Sequence, residues 1–262
     1  MTIHEVSENV FLCAANSNTT ALVLPTRVVL IDAGSIPSMV ETRKEIEAIS
    51  NKKVDMVILT HFHSDHTRAT PVFSDCTIVS STLLLKRLKE AKRKPPEGYE
   101  LTFPNKTFDD QIEIQDGTIQ LIVKQTGGHT DDSTFVYCPT YKVLATGDNL
   151  IVNIYPFAGK GCNPDLWIQA LKEYLSCDVN SFIPGHGPVV GKDEVKEFLD
   201  YMVEVRTVMK ELIAEGEPKE DVLRTAGEVE YCYTLRDPED QYYRRWKEQY
   251  LSGWYSVWKK EL

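Results

Sequence analysis

The sequence lacks the features that mark membrane proteins, secreted disulfide-bonded proteins and nucleic-acid-binding proteins. No apolar stretch approaches the roughly 20 residues that span a bilayer, so no transmembrane helix is predicted. The opening residues show no basic region followed by a hydrophobic run, so no signal peptide is predicted either. The six cysteines include no Cys-x-x-Cys pair, which favours reduced thiols and a cytoplasmic location. A formal net charge of -10 disfavours nucleic acid as a partner, because clustered lysine and arginine bind its phosphates.

Histidine is scarce as well, with six residues in 262, but three of the six fall within one short run. This run, His61-Phe62-His63-Ser64-Asp65-His66, follows the apolar residues 54–60, a pattern typical of a buried strand. Imidazole is the commonest metal ligand in proteins, and aspartate can share a zinc site. Six residues cannot wrap one metal with all four groups unless the backbone turns sharply. The run therefore predicts ligands for two metals.

Three further residues that can bind metal each stand directly after a glycine at the end of a β-prone run. They are His129, Asp148 and His186. Of the six histidines, only His4 lies outside these motifs and the run of residues 61–66. Glycine lets the backbone turn tightly and come close to a site. Four separate strand ends that each present a ligand indicate one shared metal centre rather than four unrelated polar loops.

The order of these motifs resembles that of the metallo-β-lactamase-fold metallohydrolases. His-x-His-x-Asp-His is followed by Gly-His, Gly-Asp and Gly-His-Gly, and residues 29–34 are similar to the first motif of the family. The likeness spans residues 6–190 and implies a binuclear centre with the seven-ligand set of glyoxalase II and the lactonases. By the same resemblance, Asp32 supports the ligand loop. The implied ligands form two sets and one bridge: His61, His63 and His129; Asp65, His66 and His186; and Asp148 between them.

The resemblance implies two divalent metal ions, with zinc preferred and iron or manganese as alternatives. The pKa of a water that bridges such a pair falls from about 15.7 towards about 7, so hydroxide becomes the nucleophile at neutral pH. Asp65 is predicted to orient this water or to relay its proton. The leading hypothesis is therefore a binuclear zinc hydrolase that acts on a small-molecule ester, lactone or thioester.

Three positions bear on the substrate. Asp148 stands where one subclass of β-lactamases has cysteine, and Ile151 stands where that subclass carries the lysine that holds the drug carboxylate. Only weak β-lactamase activity is therefore expected. Residues 153–160 are loosely similar to a lactonase loop, and Tyr155 within them is predicted to contact the oxyanion or the leaving group.

Two other reactions stay open on the sequence alone. The basic run of residues 86–94 favours a phosphodiesterase or nuclease of the same fold. Such a run on an amphipathic helix is more often a solvated face, and no second catalytic domain is visible. A mononuclear iron dioxygenase for a sulfur substrate shares the same histidines and aspartates, so the identity of the ligands does not exclude it.

The order of strand-like and helix-like segments predicts an α/β protein, a four-layer αββα sandwich with a helical C-terminal extension. Ser38 and Ser81 are predicted to cap helices that run to about residues 49 and 92. A further helix is predicted over residues 164–175, where proline opens the first turn. Residues 94–110 are rich in proline and polar side chains and are predicted to form a loop.

The catalytic core is predicted to occupy residues 1–191 and the helical extension residues 192–262. Helices are expected over residues 193–215 and 218–225, with a third from Pro238. Aromatic side chains at helical spacing line one face of this third helix: Tyr242, Tyr243, Trp246, Tyr250, Trp254 and Trp258. This face is predicted to pack on the core, with a homodimer interface or a wall of the substrate pocket as alternatives.

Overall fold

The computed structural model describes residues 1–231 and 241–261, apart from the side chains of residues 241–244, and contains two mixed β-sheets. The first sheet holds strands β1 to β7 in chain order: Thr2–Ser7, Val10–Ala14, Asn18–Val23, Val28–Ile31, Val54–Ile58, Thr77–Ser81 and Lys106–Phe108. The second sheet has the order β12-β11-β10-β9-β8, and its strands β8 to β12 are Gln111–Asp116, Ile119–Gln125, Thr134–Cys138, Val143–Ile151 and Ser181–His186. Strands β4 to β7 pair in parallel, as do β11 and β12, and the other pairs are antiparallel.

Helices cover the outer faces of both sheets and complete a four-layer sandwich, which confirms the predicted fold class. Helices α1 (Ile36–Ser50) and α3 (Thr82–Glu90) pack on the first sheet, and α2 (Ser64–Thr67) is a single turn after β5. The second sheet carries the remaining helices α4 to α7: Pro164–Ser176, Lys192–Glu215, Lys219–Ala226 and Gln241–Trp258. Within the described ranges, no helix has the length and apolar character that crossing a bilayer requires.

Alternate residues of the strands enter two different cores, as the two-residue repeat of a strand requires. In β4, Val29 and Ile31 face the space between the sheets, while Val28 and Leu30 join the core beneath α1 and α3. In β11, Leu144 faces the helices of the second sheet and its two neighbours face the first sheet. Both faces of these strands are buried, which explains why they appear in the sequence as continuous apolar runs.

The C-terminal helices join the second sheet through one aromatic core. Trp167 of α4 packs edge-on against Phe198 of α5 and Trp254 of α7. The Trp258 indole Nε1 donates a hydrogen bond to Asp165 Oδ2 at 2.9 Å. Helices α5 to α7 are therefore part of the same packed body as the sandwich. The domain boundary after residue 191 and the homodimer interface stay predictions.

One predicted helix cap differs from the structure and one agrees with it. Helix α1 begins before the predicted Ser38, with Ser35 in the cap position and Pro37 in the first turn. Proline suits that turn because its missing N–H is not needed there. The predicted cap at Ser81 is confirmed, since its hydroxyl accepts a hydrogen bond from the Leu84 amide at 3.1 Å.

The predicted loop over residues 94–110 contains strand β7, so that prediction is wrong at its C-terminal end. The Asn105 side chain accepts a hydrogen bond from the Ile78 amide at 2.9 Å, which docks the segment on the edge of β6. This contact joins positions far apart in the chain and leaves no local pattern in the sequence. Cys232, one of the six cysteines, and Pro238 lie outside the described residues, as do the side chains of Tyr242 and Tyr243 in the predicted aromatic face.

Candidate metal centre

The first group of ligands comes from three separate segments of the chain. His61 and His63 lie in the loop after β5, His129 lies in the loop after β9, and Asp148 lies within β11. The Nδ1 atom of His63 is 3.1 Å from His61 Nε2 and 3.0 Å from His129 Nε2. Asp148 Oδ2 is 3.5 Å from each of those two Nε2 atoms. Four ligand atoms therefore surround one point.

The second group lies beside the first. Asp65 and His66 belong to α2, and His186 ends β12. His66 Nε2 is 3.4 Å from His186 Nε2, and Asp65 Oδ2 is 3.5 Å from the former and 3.1 Å from the latter. Asp148 Oδ1 completes the group at 3.1 Å from His66 Nε2 and 3.6 Å from His186 Nε2. The two groups therefore share Asp148, which turns one oxygen to each.

The donor atoms and their spacing fit two divalent metal ions. Zinc–nitrogen bonds of about 2.0–2.1 Å put the corners of a tetrahedron about 3.3–3.4 Å apart. The distances between ligand atoms given above span 3.0 Å to 3.6 Å. Asp148 Oδ1 is buried and has no hydrogen-bond partner among the described residues. Imidazole nitrogens combined with carboxylate oxygens suit zinc, and iron and manganese accept similar sets.

Two glycines make room for Asp148 between the groups. Gly147 has a φ of 54°, and a Cβ at this position would lie 2.5 Å from Thr60 Oγ1. A Cβ on Gly185, in the adjacent strand β12, would lie 1.9 Å from Asp148 Oδ1. A side chain at Gly185 would push the Asp148 carboxylate out of place, and one at Gly147 would push Thr60 away, which gives a physical reason for the glycines of the two motifs.

Hydrogen bonds to the Nδ1 atoms fix the orientation of two of the ligand imidazoles, those of His66 and His186. His66 Nδ1 lies 2.8 Å from Asp32 Oδ2, and Asp32 also accepts hydrogen bonds of 2.8 Å from the Thr60 amide and hydroxyl. His186 Nδ1 lies 3.0 Å from the carbonyl oxygen of Asn16. These bonds engage the Nδ1 protons and leave the Nε2 lone pairs for a metal. Asp32 thus stands where the resemblance implied a supporting carboxylate.

Burial sets the charges of the ligands. It lowers the pKa of His61 to about 4 and holds that of His129 well below its usual range, so both rings are neutral at pH 7. Burial opposes ionisation of Asp148 as well, but the nearby His66 and His61 hold its pKa well below the ordinary value. The neutral rings of His61 and His129 are in the protonation state that metal binding needs. Burial also opposes a charge on His66, but Asp148 and Asp32 outweigh burial and raise the pKa of this imidazole well above its ordinary value, so a metal ion would have to displace that proton.

Both ligand groups face one cleft with a volume of about 470 Å³. Part of its wall is apolar: Ile151, Ile154, Phe157 and Trp246. Tyr155 also lines the cleft, and its ring packs against those of Tyr231 and Tyr250 with centroids 4.8 Å and 5.8 Å away. Trp246 belongs to α7, so this helix forms part of the pocket wall, which was one of the predicted alternatives. The contact of Tyr155 with an oxyanion stays a prediction.

Asn149 has a role at the site that was not predicted. Its Oδ1 accepts a hydrogen bond from the His129 amide at 2.9 Å. Its Nδ2 donates to the Gly127 carbonyl oxygen at 2.9 Å and to the Tyr174 hydroxyl at 3.0 Å. Asn149 therefore fastens the His129 loop to β11 and α4. Its position directly after Asp148 was the one available signal in the sequence.

The basic run of residues 86–94 is not simply a solvated face, so that prediction is wrong for two of its arginines. Arg87 pairs with Asp131, in the loop of His129, with Nε 3.2 Å from Oδ1. Arg93 is partly buried and donates hydrogen bonds to the Phe62 carbonyl oxygen and to the Thr67 hydroxyl. Both guanidinium groups hold segments that carry metal ligands.

A two-sheet sandwich with paired histidine and aspartate groups at its strand ends defines a class of proteins whose strand ends could hold metal ions. Within that class, the family model of the metallo-beta-lactamase superfamily matches residues 14–186. The chain therefore belongs to the metallo-beta-lactamase superfamily, as the order of its motifs predicted.

Known relatives are similar over much of the chain at modest identity. A beta-lactamase-like protein 2 homolog of Caenorhabditis elegans is 25% identical over 209 residues, which cover 74% of this chain and 66% of that protein. A probable metallo-hydrolase of Methanocaldococcus jannaschii is 29% identical over 150 residues, covering 56% of this chain and 64% of that protein. The matches thus span slightly under two thirds of these relatives. The structure of a metallo-beta-lactamase from Pontibacter korlensis shares the fold, with a TM-score of 0.64, 22% identity, and coverage of 77% of this chain and 98% of that chain.

Proposed function

We propose that this protein is a binuclear hydrolase that uses zinc to cleave an ester, lactone or thioester of a small molecule. The observation that carries the proposal is the pair of ligand groups that share Asp148 and face one cleft. Two divalent ions held there would supply a water of lowered pKa and positive charge for a developing oxyanion. The proposed location is the cytoplasm, and the free cysteines among the described residues support a reducing compartment.

Asp65 is the residue best placed to handle a proton in the cleft. Burial opposes its ionisation, but a hydrogen bond with His186 and the charge of His66 hold its pKa below the usual range. Its side chain keeps 32% of its surface exposed and lines the cleft, while Oδ2 faces the two histidines. An ionised carboxylate in this position can accept a hydrogen bond from the attacking water and pass its proton to the leaving group.

The apolar wall of the cleft favours an acyl chain or a lactone ring. Phe157 and Trp246 are among the exposed large hydrophobic residues of the described chain, and both line the cleft. Exposed apolar area of this kind is typical of a binding surface. Ile151 offers no positive charge to a drug carboxylate, which supports weak rather than efficient cleavage of β-lactams. Tyr155 is proposed to contact the oxyanion or the leaving group, because it lines the same space.

A substrate panel, combined with metal analysis of the same sample, tests the proposal. We expect zinc-loaded protein to carry two metals per chain and to turn over p-nitrophenyl esters, lactones or thioesters, with β-lactams slower. Turnover of bis-(p-nitrophenyl) phosphate alone would assign a phosphodiesterase instead. One iron per chain, with oxygen consumed in the presence of a sulfur substrate, would assign a dioxygenase.

The His61→Ala variant, purified in parallel, is the control for the panel. It removes one imidazole of the first ligand group and leaves the rest of the chain unchanged. Ester cleavage that persists in this variant at the wild-type rate would come from a contaminating enzyme or from a different site.

A further inference from the structure

A second cavity, here termed the arginine cavity, adjoins the metal cleft. It has a volume of about 270 Å³ and shares Ser64 with the cleft. Ser64 stands between His63 and Asp65 in the chain, so the two spaces meet at the ligand loop itself. The charged residues that line the cavity are all basic, and no acidic side chain is found among its described lining residues. The basic residues are Arg68, Arg93 and Lys94.

The two arginines of the cavity differ from the other arginines of residues 1–231 because they form no ion pair with a described carboxylate. Residues 1–231 contain seven arginines, of which five lie within 4.0 Å of a carboxylate: Arg27, Arg43, Arg87, Arg206 and Arg224. The two that have no such partner among the described residues are Arg68 and Arg93, and both line the arginine cavity. Lys94, in the same described part, has none either. Both arginines of residues 1–231 that lack a carboxylate partner among the described residues thus lie beside the metal cleft, in a chain with a net charge of -10.

The two guanidinium groups are held in different ways. Arg93 donates hydrogen bonds to the Phe62 carbonyl oxygen and to Thr67 Oγ1, so its position is fixed by the ligand loop. Arg68 is exposed, and its side chain makes no hydrogen bond to the described residues, so its donors are free for a ligand. Burial lowers the pKa of Arg93 and the charge of Arg68 lowers it further, because the two cations repel each other, while the charge of Asp65 raises it. An anion between them would remove that repulsion.

We propose that the arginine cavity is an anion subsite of the metal cleft, and that the substrate carries a carboxylate or phosphate group away from its scissile bond. This inference rests on the proposed hydrolase function. Guanidinium groups bind both anions through paired N–H donors. Leu101 and Phe103 also line the cavity with exposed side chains, which can contact the apolar link between the scissile bond and the anion. The subsite selects among esters that the metal centre alone would treat alike.

The test compares two p-nitrophenyl esters of equal length, the glutarate monoester and the pentanoate, on zinc-loaded protein. Arg68→Gln is the main variant, because Arg93 also holds the ligand loop and is left intact. Arg68→Lys is the conservative variant. Arg224→Gln is the matched control, since Arg224 is an exposed arginine on α6 that pairs with Asp221. The measured quantities are kcat and KM for each ester.

We expect the wild-type protein to have a KM for the glutarate monoester about 10-fold below that for the pentanoate, because a charge-assisted hydrogen bond strengthens binding by about this factor. Arg68→Gln should remove this difference by raising KM for the anionic ester, with kcat unchanged and the pentanoate unaffected. Arg68→Lys should restore part of it, and Arg224→Gln should match the wild type. Equal KM values for the two esters in the wild type, or an equal loss for both in Arg68→Gln, would overturn the subsite and leave the hydrolase standing.

Direct binding separates the two proposals if neither ester is cleaved. Calorimetric titration of the zinc-loaded protein with glutarate and with propyl phosphate measures the subsite without turnover. A dissociation constant about 10-fold weaker in Arg68→Gln than in Arg224→Gln supports the subsite, even if the proposed reaction fails. The tighter of the two ligands identifies the anion as a carboxylate or a phosphate. Equal affinities in the two variants overturn the subsite.

Discussion

Asp148 is the residue on which both ligand groups depend, because each of its oxygens faces a different group. Its negative charge is buried among four histidines, and burial would favour a neutral carboxyl group without them. The histidines balance the buried negative charge of Asp148 only in part, because His61 and His129 are neutral at pH 7. Divalent cations in both groups would balance the carboxylate fully. In the proposed binuclear centre, the chemistry of this one residue therefore couples the two metal ions.

Replacing Asp148 by Asn tests this coupling. The amide keeps the size of the side chain but loses the charge and one of the two acceptor oxygens. We expect zinc content to fall from two per chain to one or none, and activity to fall at least 100-fold, since the two ions that would together activate a water are no longer both held. Elemental analysis after gel filtration measures the first effect. Asp116→Asn is the control, as Asp116 is also buried but ends β8, outside both ligand groups. Two zinc ions in Asp148→Asn would contradict the bridging role.

Asp132 predicts an unusual dependence of stability on pH. It is buried, neither of its oxygens has a hydrogen-bond partner among the described residues, and burial raises its pKa from 3.8 to about 7. The folded state therefore holds this proton more tightly than the unfolded chain. The contribution of the protonated Asp132 carboxyl group to the free energy of unfolding is fully present below about pH 4. It is lost as pH rises to about 7, and the free energy of unfolding falls by about 1.4 kcal/mol per pH unit over this range.

The Asp132→Asn variant isolates this effect because it has no proton to lose at that position. Urea unfolding of both proteins, freed of metal with a chelator, should show the variant gaining stability over the wild type between pH 5 and pH 7.5. Other titrating groups are common to both proteins and cancel in the difference. A gap in the free energy of unfolding that stays constant across this range would show that Asp132 is charged in the folded state.

At the scale of elements, the cleft is assembled from loops of both sheets and from the last helix. Strands β5 and β12 end at the ligands, the segment after β11 carries Phe157, and α7 adds Trp246 from the far end of the chain. The strands fix the ligand atoms because they are buried on both faces. In the proposed hydrolase, the wall that would contact the substrate is formed by loops and a helix, which vary more easily than the strands. The proposal therefore assigns reaction type and substrate choice to different elements.

Truncation of Trp246 tests the part that α7 plays in substrate choice. We expect Trp246→Ala to lower kcat/KM for p-nitrophenyl octanoate about fivefold, because roughly 1 kcal/mol of apolar contact is lost. The rate for p-nitrophenyl acetate should change little, since its acyl chain is too short to reach the indole. Leu166→Ala is the control, as Leu166 is exposed on α4 and does not line the cleft. A fivefold loss for the acetate as well would assign Trp246 to folding instead.

The sequence was sufficient to predict the structure where a pattern of neighbouring residues determines it. Continuous apolar runs gave the buried strands, and Ser81 marked a helix start because the cap bond forms within one turn. Arg93 could not be predicted, since its bond to Phe62 links positions 31 residues apart on different elements. Trp246 lies still further from the ligands in sequence, and its aromatic periodicity was equally compatible with packing, dimerisation or a pocket wall. Long-range contacts of this kind leave no periodic trace in the chain.

At the scale of the whole molecule, three packed cores support one site. One core lies between the sheets, one under α1 and α3, and the largest joins the second sheet to helices α4 to α7. The last of these holds Trp167, whose indole Nε1 donates to the Asn149 carbonyl oxygen at 2.7 Å. Asn149 in turn holds the His129 loop. The packing of the C-terminal helices is therefore connected to the position of a ligand through two residues.

This connection predicts that residues 1–191 do not form a stable unit, although the motifs end before that point. Removal of α5 to α7 would take Phe198 and Trp254 away from Trp167 of α4, which is fully buried against them. Losing several buried aromatic contacts costs about 3–5 kcal/mol each, against a total stability of about 5–15 kcal/mol. We expect the fragment to show no cooperative thermal transition in near-ultraviolet circular dichroism and to bind zinc poorly. A chain that lacks only residues 259–262, after the end of α7, is the control and should melt like the full protein. A cooperative transition with two bound zinc ions in the fragment would instead make residues 1–191 an independent catalytic domain, with the helices as a separate covering layer.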